Sequence, residues 1–236
     1  YNSTILRIIK ENGLGADVVS DGELKKVLSL GFKPSRIVYS GVGKKFEELK
    51  FAISKNILLI NVESESELKN IEKLAKKFRK KVSVGLRLNP NIDAKTNTKI
   101  STGRIQDKFG LNGNDIIKIL NKFKNSRNIK IKCLSVHIGS QITQNKPYNN
   151  VLVAINKILS KSKYKFEYID LGGGMGIKYI KDNKKLDYSK LSKNIHKFSK
   201  RNNCKIIFEP GRSIVGNTAV SVSYTHLTLP TTPVVG

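Results

Sequence analysis

A run of three glycines directly follows a short apolar segment, in Asp170-Leu-Gly-Gly-Gly-Met-Gly176. Glycine has no side chain and readily adopts positive φ. Such a run therefore forms either a tight turn or a loop whose bare backbone N–H groups surround an anion. The local residues leave both interpretations open. We take Gly172, Gly173 and Gly174 as candidate phosphate-binding residues.

A carboxylate and a guanidinium lie close together in Phe208-Glu-Pro-Gly-Arg-Ser213. An ordinary ion pair between Glu209 and Arg212 is the simplest interpretation, but Pro210 and Gly211 form a specific turn between them. The fork of donors on Arg212 suits a phosphate or a carboxylate. Pyridoxal 5'-phosphate combines a phosphate with a pyridine ring that a carboxylate keeps protonated, so we predict it as the cofactor.

His137 ends a further apolar segment and is followed by Gly139 and Ser140. A lone histidine beside an apolar strand is usually structural, but at a strand end its ring can also stack on a flat cofactor. None of the three histidines is grouped with other ligands, so we predict no metal site. Cys133 and Cys204 are far apart, and we expect both to be buried as small hydrophobic residues.

Apolar or β-branched runs alternate with amphipathic segments, which predicts a parallel sheet of βα units. The predicted strands are 16–19, 36–39, 58–62, 83–88, 132–138, 167–171 and 205–208. The predicted helices are 2–11, 22–30, 45–54, 65–78, 114–124, 148–161 and 188–200. This α/β pattern indicates a (β/α)8 TIM-type barrel whose first strand is missing, with an open doubly wound sheet as the alternative.

In such a barrel the glycine run and Glu209 follow the last two strands, where phosphate sites are common. The longest predicted connection, residues 89–112, also follows a strand, so we expect it to overhang the same face.

The chain has 236 residues and a net charge of +26, from 44 Lys or Arg and 18 Asp or Glu. The basic residues are spread along outer helix faces, with no arginine-rich run, so we predict no nucleic-acid partner. No apolar run is long enough to cross a membrane, and the first residues do not resemble a signal peptide. The two separated cysteines fit a reducing, cytoplasmic setting.

Eight short motifs occur in order along residues 1–222. They are Asp17-Val-Val-Ser-Asp-Gly-Glu23, Asn61-Val-Glu-Ser-Glu65, Leu86-Arg-Leu-Asn-Pro90, Ile100-Ser-Thr-Gly103, Lys108-Phe-Gly110, His137-Ile-Gly-Ser-Gln141, Asp170-Leu-Gly-Gly-Gly174 and Glu209-Pro-Gly-Arg212. Together they resemble the fold-type III pyridoxal-phosphate-dependent decarboxylases. The resemblance implies an alanine racemase-like barrel that binds pyridoxal 5'-phosphate.

The resemblance also implies roles for individual residues. Glu209 would hydrogen-bond the pyridine nitrogen, and His137 would stack against the ring, making these two the expected catalytic residues. The expected phosphate and cofactor contacts are Ser140, Gly172, Gly173, Gly174, Pro210, Gly211 and Arg212. Asp17 and Arg87 would line the pocket and position groups. Arg212 and Ser101, the latter in the long loop, would contact the substrate.

Within the family, the Ser-Thr-Gly run and the Gly-Ser-Gln run imply meso-2,6-diaminopimelate as the substrate. The implied reaction is its decarboxylation to L-lysine and CO2, the final step of lysine biosynthesis. Two alternatives stay open: another basic amino-acid or polyamine decarboxylase of this fold, and a non-catalytic barrel that binds the cofactor. The resemblance further implies a homodimer with shared active sites.

The resemblance finally implies domain limits. We expect residues 1–222 to be a partial cofactor-binding barrel and residues 223–236 to be a non-native tail. The family's lysine that bonds covalently to the cofactor is expected upstream of Tyr1, and the family's C-terminal β domain is expected to lie outside these residues. By this expectation the chain alone is inactive.

Overall fold

The computed structural model describes residues 2–92, 109–179 and 186–218. Its helices are α1 (Ser3–Glu11), α2 (Asp21–Ser29), α3 (Phe46–Lys55), α4 (Glu65–Lys77), α5 (Gly113–Phe123), α6 (Asn145–Ser162), α7 (Tyr188–Asn202) and α8 (Arg212–Val215). Its strands are β1 (Ala16–Val18), β2 (Ile37–Tyr39), β3 (Leu59–Val62), β4 (Val82–Arg87), β5 (Ile129–Ser135), β6 (Tyr168–Asp170) and β7 (Lys205–Ile207). A short 3₁₀ turn, Pro34–Arg36, precedes β2.

Serine side chains start two of the helices that follow strands. Ser20 accepts a hydrogen bond from the Glu23 amide at 3.2 Å, and Ser64 accepts one from the Glu67 amide at 3.1 Å. Each bond satisfies an amide that the first helical turn leaves without a backbone partner. The chain therefore turns directly from the end of a strand into a helix.

All strand pairs are parallel, and the strands follow one another in chain order from β1 to β7. Ser40 follows β2 and Glu209 follows β7, yet the Ser40 hydroxyl lies 3.2 Å from the Glu209 carboxylate. In a flat sheet five strand spacings would separate them by about 24 Å. The sheet therefore curls into a partial barrel, and the alternative of an open doubly wound sheet is wrong.

The hydrophobic core fills the space between the sheet and its helices. Helix α4 buries Leu68, Ile71, Leu74 and Ala75 and turns its lysines outward, as its periodicity predicts. Cys133 and Cys204 are free and buried, which confirms their expected packing role. In the described ranges no helix is long and apolar enough to cross a membrane.

Most predicted elements agree with the structure to within one or two residues, and the larger differences concern β5, α6 and α8. Strand β5 runs from Ile129 to Ser135 instead of 132–138, so His137 lies just beyond the strand. Helix α6 begins at Asn145 instead of residue 148, because Pro147 is tolerated in a first helical turn. The short helix α8 was not predicted, since four residues carry too little periodicity.

A cavity of about 1020 Å³ lies between β1 and β7 and is lined by residues from both strands. Asp17 and Val18 line it on one side, and Ile207 and Glu209 line it on the other. The cavity therefore connects the open side of the barrel with the carboxyl ends of its strands.

Candidate active site

Polar side chains from four strands meet inside the carboxyl end of the barrel. Asn61 on β3 donates through Nδ2 to the Ser40 hydroxyl at 3.0 Å and to Asp170 Oδ2 at 3.3 Å. Ser40 donates in turn to Glu209 Oε1 at 3.2 Å. Asn61 and Asp170 are buried, whereas Ser40 and Glu209 are partly buried. We call these four residues the carboxyl-end cluster.

Two carboxyl groups of the carboxyl-end cluster, Asp170 and Glu209, raise or lower each other's pKa. Burial raises the pKa of Glu209 well above its usual range, and the neighbouring Asp170 raises it further. Burial also raises the pKa of Asp170, while its hydrogen bond with Glu209 opposes that rise. Glu209 is therefore the more basic of the two carboxyl groups, and Asp170 is the one that ionises at lower pH.

Asp17 adds a third carboxyl group at the edge of the same site. Desolvation by the surrounding barrel, followed by the charge of Glu209, raises its pKa, although the residue remains exposed through the cavity. Arg87 lowers the pKa of both Asp17 and Glu209. Because the charge of Glu209 raises the tendency of Asp17 to hold a proton, a cation bound between them would be favoured.

The charge of Arg87 is already paired within the barrel. Its guanidinium forms a short salt bridge with Glu63, and both side chains are nearly buried. Glu63 also accepts a hydrogen bond from the Gly110 amide at 3.0 Å, and the Phe109 ring lies 5.2 Å from the guanidinium carbon. These contacts hold the end of the long 89–112 connection against the site.

The glycine run is held by side chains on both sides. The Gly172 amide donates to Asp170 Oδ1 at 2.9 Å, and the Gly173 amide donates to His137 Nδ1 at 3.2 Å. The Tyr148 hydroxyl on α6 donates to the Gly173 carbonyl at 2.8 Å. Among the described residues, the Gly174 amide has no acceptor, so of these three amides it is the one open to an anion.

Close backbone contacts explain why the run consists of glycine. A Cβ atom on Gly173 would lie 2.3 Å from the Glu209 carbonyl oxygen, and one on Gly174 would lie 2.1 Å from the Gly139 carbonyl oxygen. Gly172 and Gly174 also have positive φ, at 64° and 86°. Any side chain would push the glycine loop away from β7 and from the β5–α6 loop.

His137 is neutral at physiological pH. Burial, followed by the charge of Arg87, lowers its pKa to about 4. Since Nδ1 accepts the Gly173 amide, the remaining ring hydrogen is on Nε2. A neutral, fixed imidazole is suited to contact with a flat aromatic ring and less suited to donating protons.

The other predicted contacts lie in the β5–α6 loop and at the turn between β7 and α8. Ser140 lies in the β5–α6 loop, which is joined to the run by the Ile142 amide and the Gly174 carbonyl at 2.8 Å. Pro210 and Gly211 connect β7 to α8, and Arg212 begins that helix. Arg212 donates to the Tyr179 hydroxyl at 3.1 Å and, within the described ranges, makes no ion pair with Glu209.

One predicted substrate residue cannot be placed. Ser101 and most of the long 89–112 connection lie outside the described residues. The described ends of that connection pair with each other, since the Asn89 amide donates to the Leu111 carbonyl at 2.8 Å. Its described base therefore adjoins Arg87 at the end of β4, and the predicted overhang lies outside the described residues.

Ser40, Asn61, Asp170 and Tyr148 belong to the site but were given no role from the sequence. Asn61 and Asp170 carry a usable signal, since each is a polar residue in an otherwise apolar buried strand. Ser40 directly follows such a strand. Tyr148 carries no such signal, because a helical tyrosine looks like any other core residue.

The arrangement is suited to an organic cation that carries an anionic group. In the described part of the chain, no group of three or more histidine, cysteine or acidic side chains is arranged to hold a metal. An aromatic N–H cation facing Glu209 would satisfy its buried carboxylate, and a phosphate would fit the Gly174 amide. The site thus combines the features that a phosphorylated pyridine needs.

Comparison with known families identifies the class of protein. Residues 1–216 match the family model described as "Pyridoxal-dependent decarboxylase, pyridoxal binding domain". The chain belongs to this family, and its barrel is the domain that binds pyridoxal phosphate. This finding confirms the resemblance and the cofactor that the sequence predicts.

Within this family, the chain is similar to diaminopimelate decarboxylases. The chain is 38% identical over 226 residues to diaminopimelate decarboxylase from Zymomonas mobilis, covering 94% of the chain and 54% of that protein. It is 37% identical over 226 residues to the Aquifex aeolicus enzyme, with the same coverage. The chain therefore spans about half the length of the curated relatives it matches.

Solved structures of diaminopimelate decarboxylases also resemble this chain. The crystal structure of diaminopimelate decarboxylase from Helicobacter pylori complexed with L-lysine matches with a TM-score of 0.86 and 37% identity. The match covers 90% of this chain and 55% of that one. The arginine decarboxylase of Paramecium bursaria Chlorella virus, at 24% identity and a TM-score of 0.73, shares the fold.

Proposed function

We propose that the complete protein decarboxylates meso-2,6-diaminopimelate to L-lysine and CO2, using pyridoxal 5'-phosphate. The observation that carries the proposal is the 36–38% identity to diaminopimelate decarboxylases across nearly all of the chain. The solved relative from Helicobacter pylori is complexed with L-lysine, the product of this reaction.

Five features of the barrel provide the cofactor site. Glu209 contacts the ring nitrogen, and His137 packs against the ring face. The Gly174 amide, with Ser140 and the turn through Pro210 and Gly211, binds the phosphate. Gly172 and Gly173 position this loop, since their amides hold Asp170 and His137. The proposal is supported by the position of these residues, which follow β5, β6 and β7.

The cofactor supplies a ring that accepts the electron pair left on carbon when CO2 departs. The residues of this chain support that step by controlling protons and water. Glu209 keeps the ring nitrogen protonated, because its basicity is raised by burial and by Asp170. Neutral His137 presents an uncharged face that does not compete for the proton.

Substrate contacts come from the rim of the same site. Arg212 has a planar fork of donors for a substrate carboxylate, and Ser101 provides a hydroxyl from the long loop. Asp17 and Arg87 position groups from the neighbouring strands. A homodimer with shared active sites would complete the pocket, and light scattering of the complete protein measures that state.

The test is a CO2-release assay on the complete protein with its cofactor. We expect turnover of meso-2,6-diaminopimelate and at least about 100-fold lower kcat/KM for ornithine, arginine and carboxynorspermidine. A higher kcat/KM for one of those three compounds would make that compound the substrate instead. Cofactor binding without CO2 release from any of them would favour a non-catalytic binding protein.

A further inference from the structure

We infer that Asp170 is a positioning residue that orients the Glu209 carboxyl and keeps a negative charge behind it as Glu209 faces the ring nitrogen. This inference rests on the proposed function, because it needs the cofactor ring at Glu209. It goes beyond that function by assigning a role to a residue that contacts neither the ring nor the substrate.

Asp170 is fixed from two directions. It is fully buried at the end of β6. One carboxylate oxygen accepts the Gly172 amide at 2.9 Å, and the other accepts the Asn61 side-chain amide at 3.3 Å. Its remaining contact is with Glu209, whose carboxyl donates to it. Asp170 therefore cannot turn away when the proton on Glu209 is exchanged for a ring N–H.

Glu209 is held between Asp170 and Ser40. The Ser40 hydroxyl donates to Oε1 at 3.2 Å, and the Glu209 amide donates to the Gly172 carbonyl at 2.9 Å. Asn61 links Ser40 and Asp170, because its side-chain amide donates a hydrogen bond to each of them. The carboxyl-end cluster thus determines where the second oxygen of Glu209 points.

The charge of Asp170 also acts on whatever proton Glu209 faces. The titratable groups facing Glu209 from the surrounding strands are Asp17 on β1, Arg87 on β4, Cys133 on β5 and Asp170 on β6. Of these, Asp170 is in direct hydrogen-bond contact with it. The negative charge of Asp170 raises the pKa of Glu209 and so makes it a stronger base. A more basic Glu209 stabilises the protonated ring nitrogen.

A purely structural role for Asp170 is the competing explanation. An aspartate that accepts the amide two residues ahead forms a local turn, and the bond to Gly172 is of this kind. Asparagine and serine can make the same turn bond without a charge. Asp170→Asn and Asp170→Ser therefore separate the turn from the charge.

The test uses the complete protein loaded with pyridoxal 5'-phosphate labelled with 15N in its ring. The 15N chemical shift reports protonation of the ring nitrogen, and it is followed from pH 6 to pH 10 alongside cofactor affinity. We expect both Asp170 variants to bind the cofactor within about tenfold of wild type. We expect the apparent pKa of the ring nitrogen to fall by about one unit or more, a tenfold change in proton affinity.

Two further variants make the result specific. Glu209→Gln should lose ring protonation over most of the range, whereas Asp115→Asn, which removes a partly exposed charge in the first turn of α5, should follow wild type. If the Asp170 variants follow wild type while Glu209→Gln does not, the inference is overturned and Glu209 keeps its role. If Glu209→Gln also follows wild type, the cofactor assignment itself fails.

Folding of the variants is part of the expectation. Because asparagine and serine can both make the turn bond to Gly172, we expect Asp170→Asn and Asp170→Ser to give the circular dichroism spectrum of the wild type. Failure of both to fold would assign Asp170 a structural role and overturn the inference.

Discussion

Two buried regions lie on opposite sides of the same strands and differ in how they are built. The apolar layer between the sheet and its helices includes Leu68 and Ile71, which are close together on α4. The carboxyl-end cluster joins Ser40 to Glu209, two residues that are 169 positions apart in the chain. The first region comes from local periodicity, and the second exists only when the barrel has curled.

The energetic contributions of the two regions are opposite. Burying a leucine side chain stabilises the fold by about 2 kcal/mol. Burying carboxyl groups costs free energy unless they find partners, and in this barrel their pKa values are raised for that reason. We expect the apolar layer to maintain the fold, and we propose that the cluster serves binding and chemistry. Mutations should separate the two effects.

The largest expected effect is loss of turnover on changing Glu209. Glu209→Ala in the complete protein should lower kcat by about 100- to 1000-fold, because the ring nitrogen loses its carboxylate partner. The free energy of unfolding should not fall, since a buried acidic group is removed. Steady-state kinetics and urea unfolding measure the two quantities.

The matched control is Glu47→Ala. This glutamate is exposed on α3 and pairs with Lys50 at 3.3 Å, so its removal should leave turnover unchanged. Equal turnover for wild type and Glu209→Ala would remove Glu209 from the mechanism.

The next effect is on stability, with function retained. Leu68→Ala should lower the free energy of unfolding by about 2 to 5 kcal/mol, because Leu68 is fully buried in the apolar layer. Its folded fraction should keep the wild-type kcat. Val153→Ala, on an exposed position of α6, provides the control and should be near neutral in urea unfolding.

Gly173 connects the two regions, so its substitution should affect both moderately. Gly173→Ala places a Cβ 2.3 Å from the Glu209 carbonyl oxygen, and the backbone must move to relieve the contact. We expect a loss of about 1 to 3 kcal/mol in stability and weaker cofactor binding, measured by absorbance titration.

Gly211→Ala is the stability control for that substitution, since its Cβ would meet open space. A Gly173→Ala protein with wild-type stability and cofactor affinity would show that the close contact is unimportant.

The smallest effect is expected on the surface. Lys25 pairs with Asp21 at 2.6 Å on the outside of α2, where both side chains are exposed. Solvent and salt screen such pairs, so Lys25→Ala should leave the urea midpoint unchanged. A clear shift would mean that surface charge contributes to the fold more than its exposure suggests.

The sequence predicts the elements well because their signals are local. Seven strands and the helices between them follow from alternating apolar runs, and helix α4 is correct to within one residue. The sequence predicts the start of β5 three residues too far along the chain. Lys130 interrupts the apolar pattern in the first half of the strand, where buried and exposed positions alternate. Pairing with β4 extends that half, and a single strand carries no record of its partner.

The site is predictable only in part for the same reason. Glu209, His137 and the glycine run each belong to a recognisable local motif, so they could be proposed from the sequence. The contacts of Asn61 with Ser40 and Asp170 span 21 and 109 residues, and no local pattern encodes them. The effect of Glu209 and Asp170 on each other's pKa likewise depends on the curled sheet, which brings β6 and β7 together.

The most direct test of the account is a crystal structure of the complete protein with pyridoxal 5'-phosphate bound. We predict the ring nitrogen within about 3 Å of a Glu209 oxygen and the phosphate within hydrogen-bond distance of the Gly174 amide. A cofactor bound with its ring nitrogen away from Glu209, or with its phosphate away from the glycine run, would contradict the account.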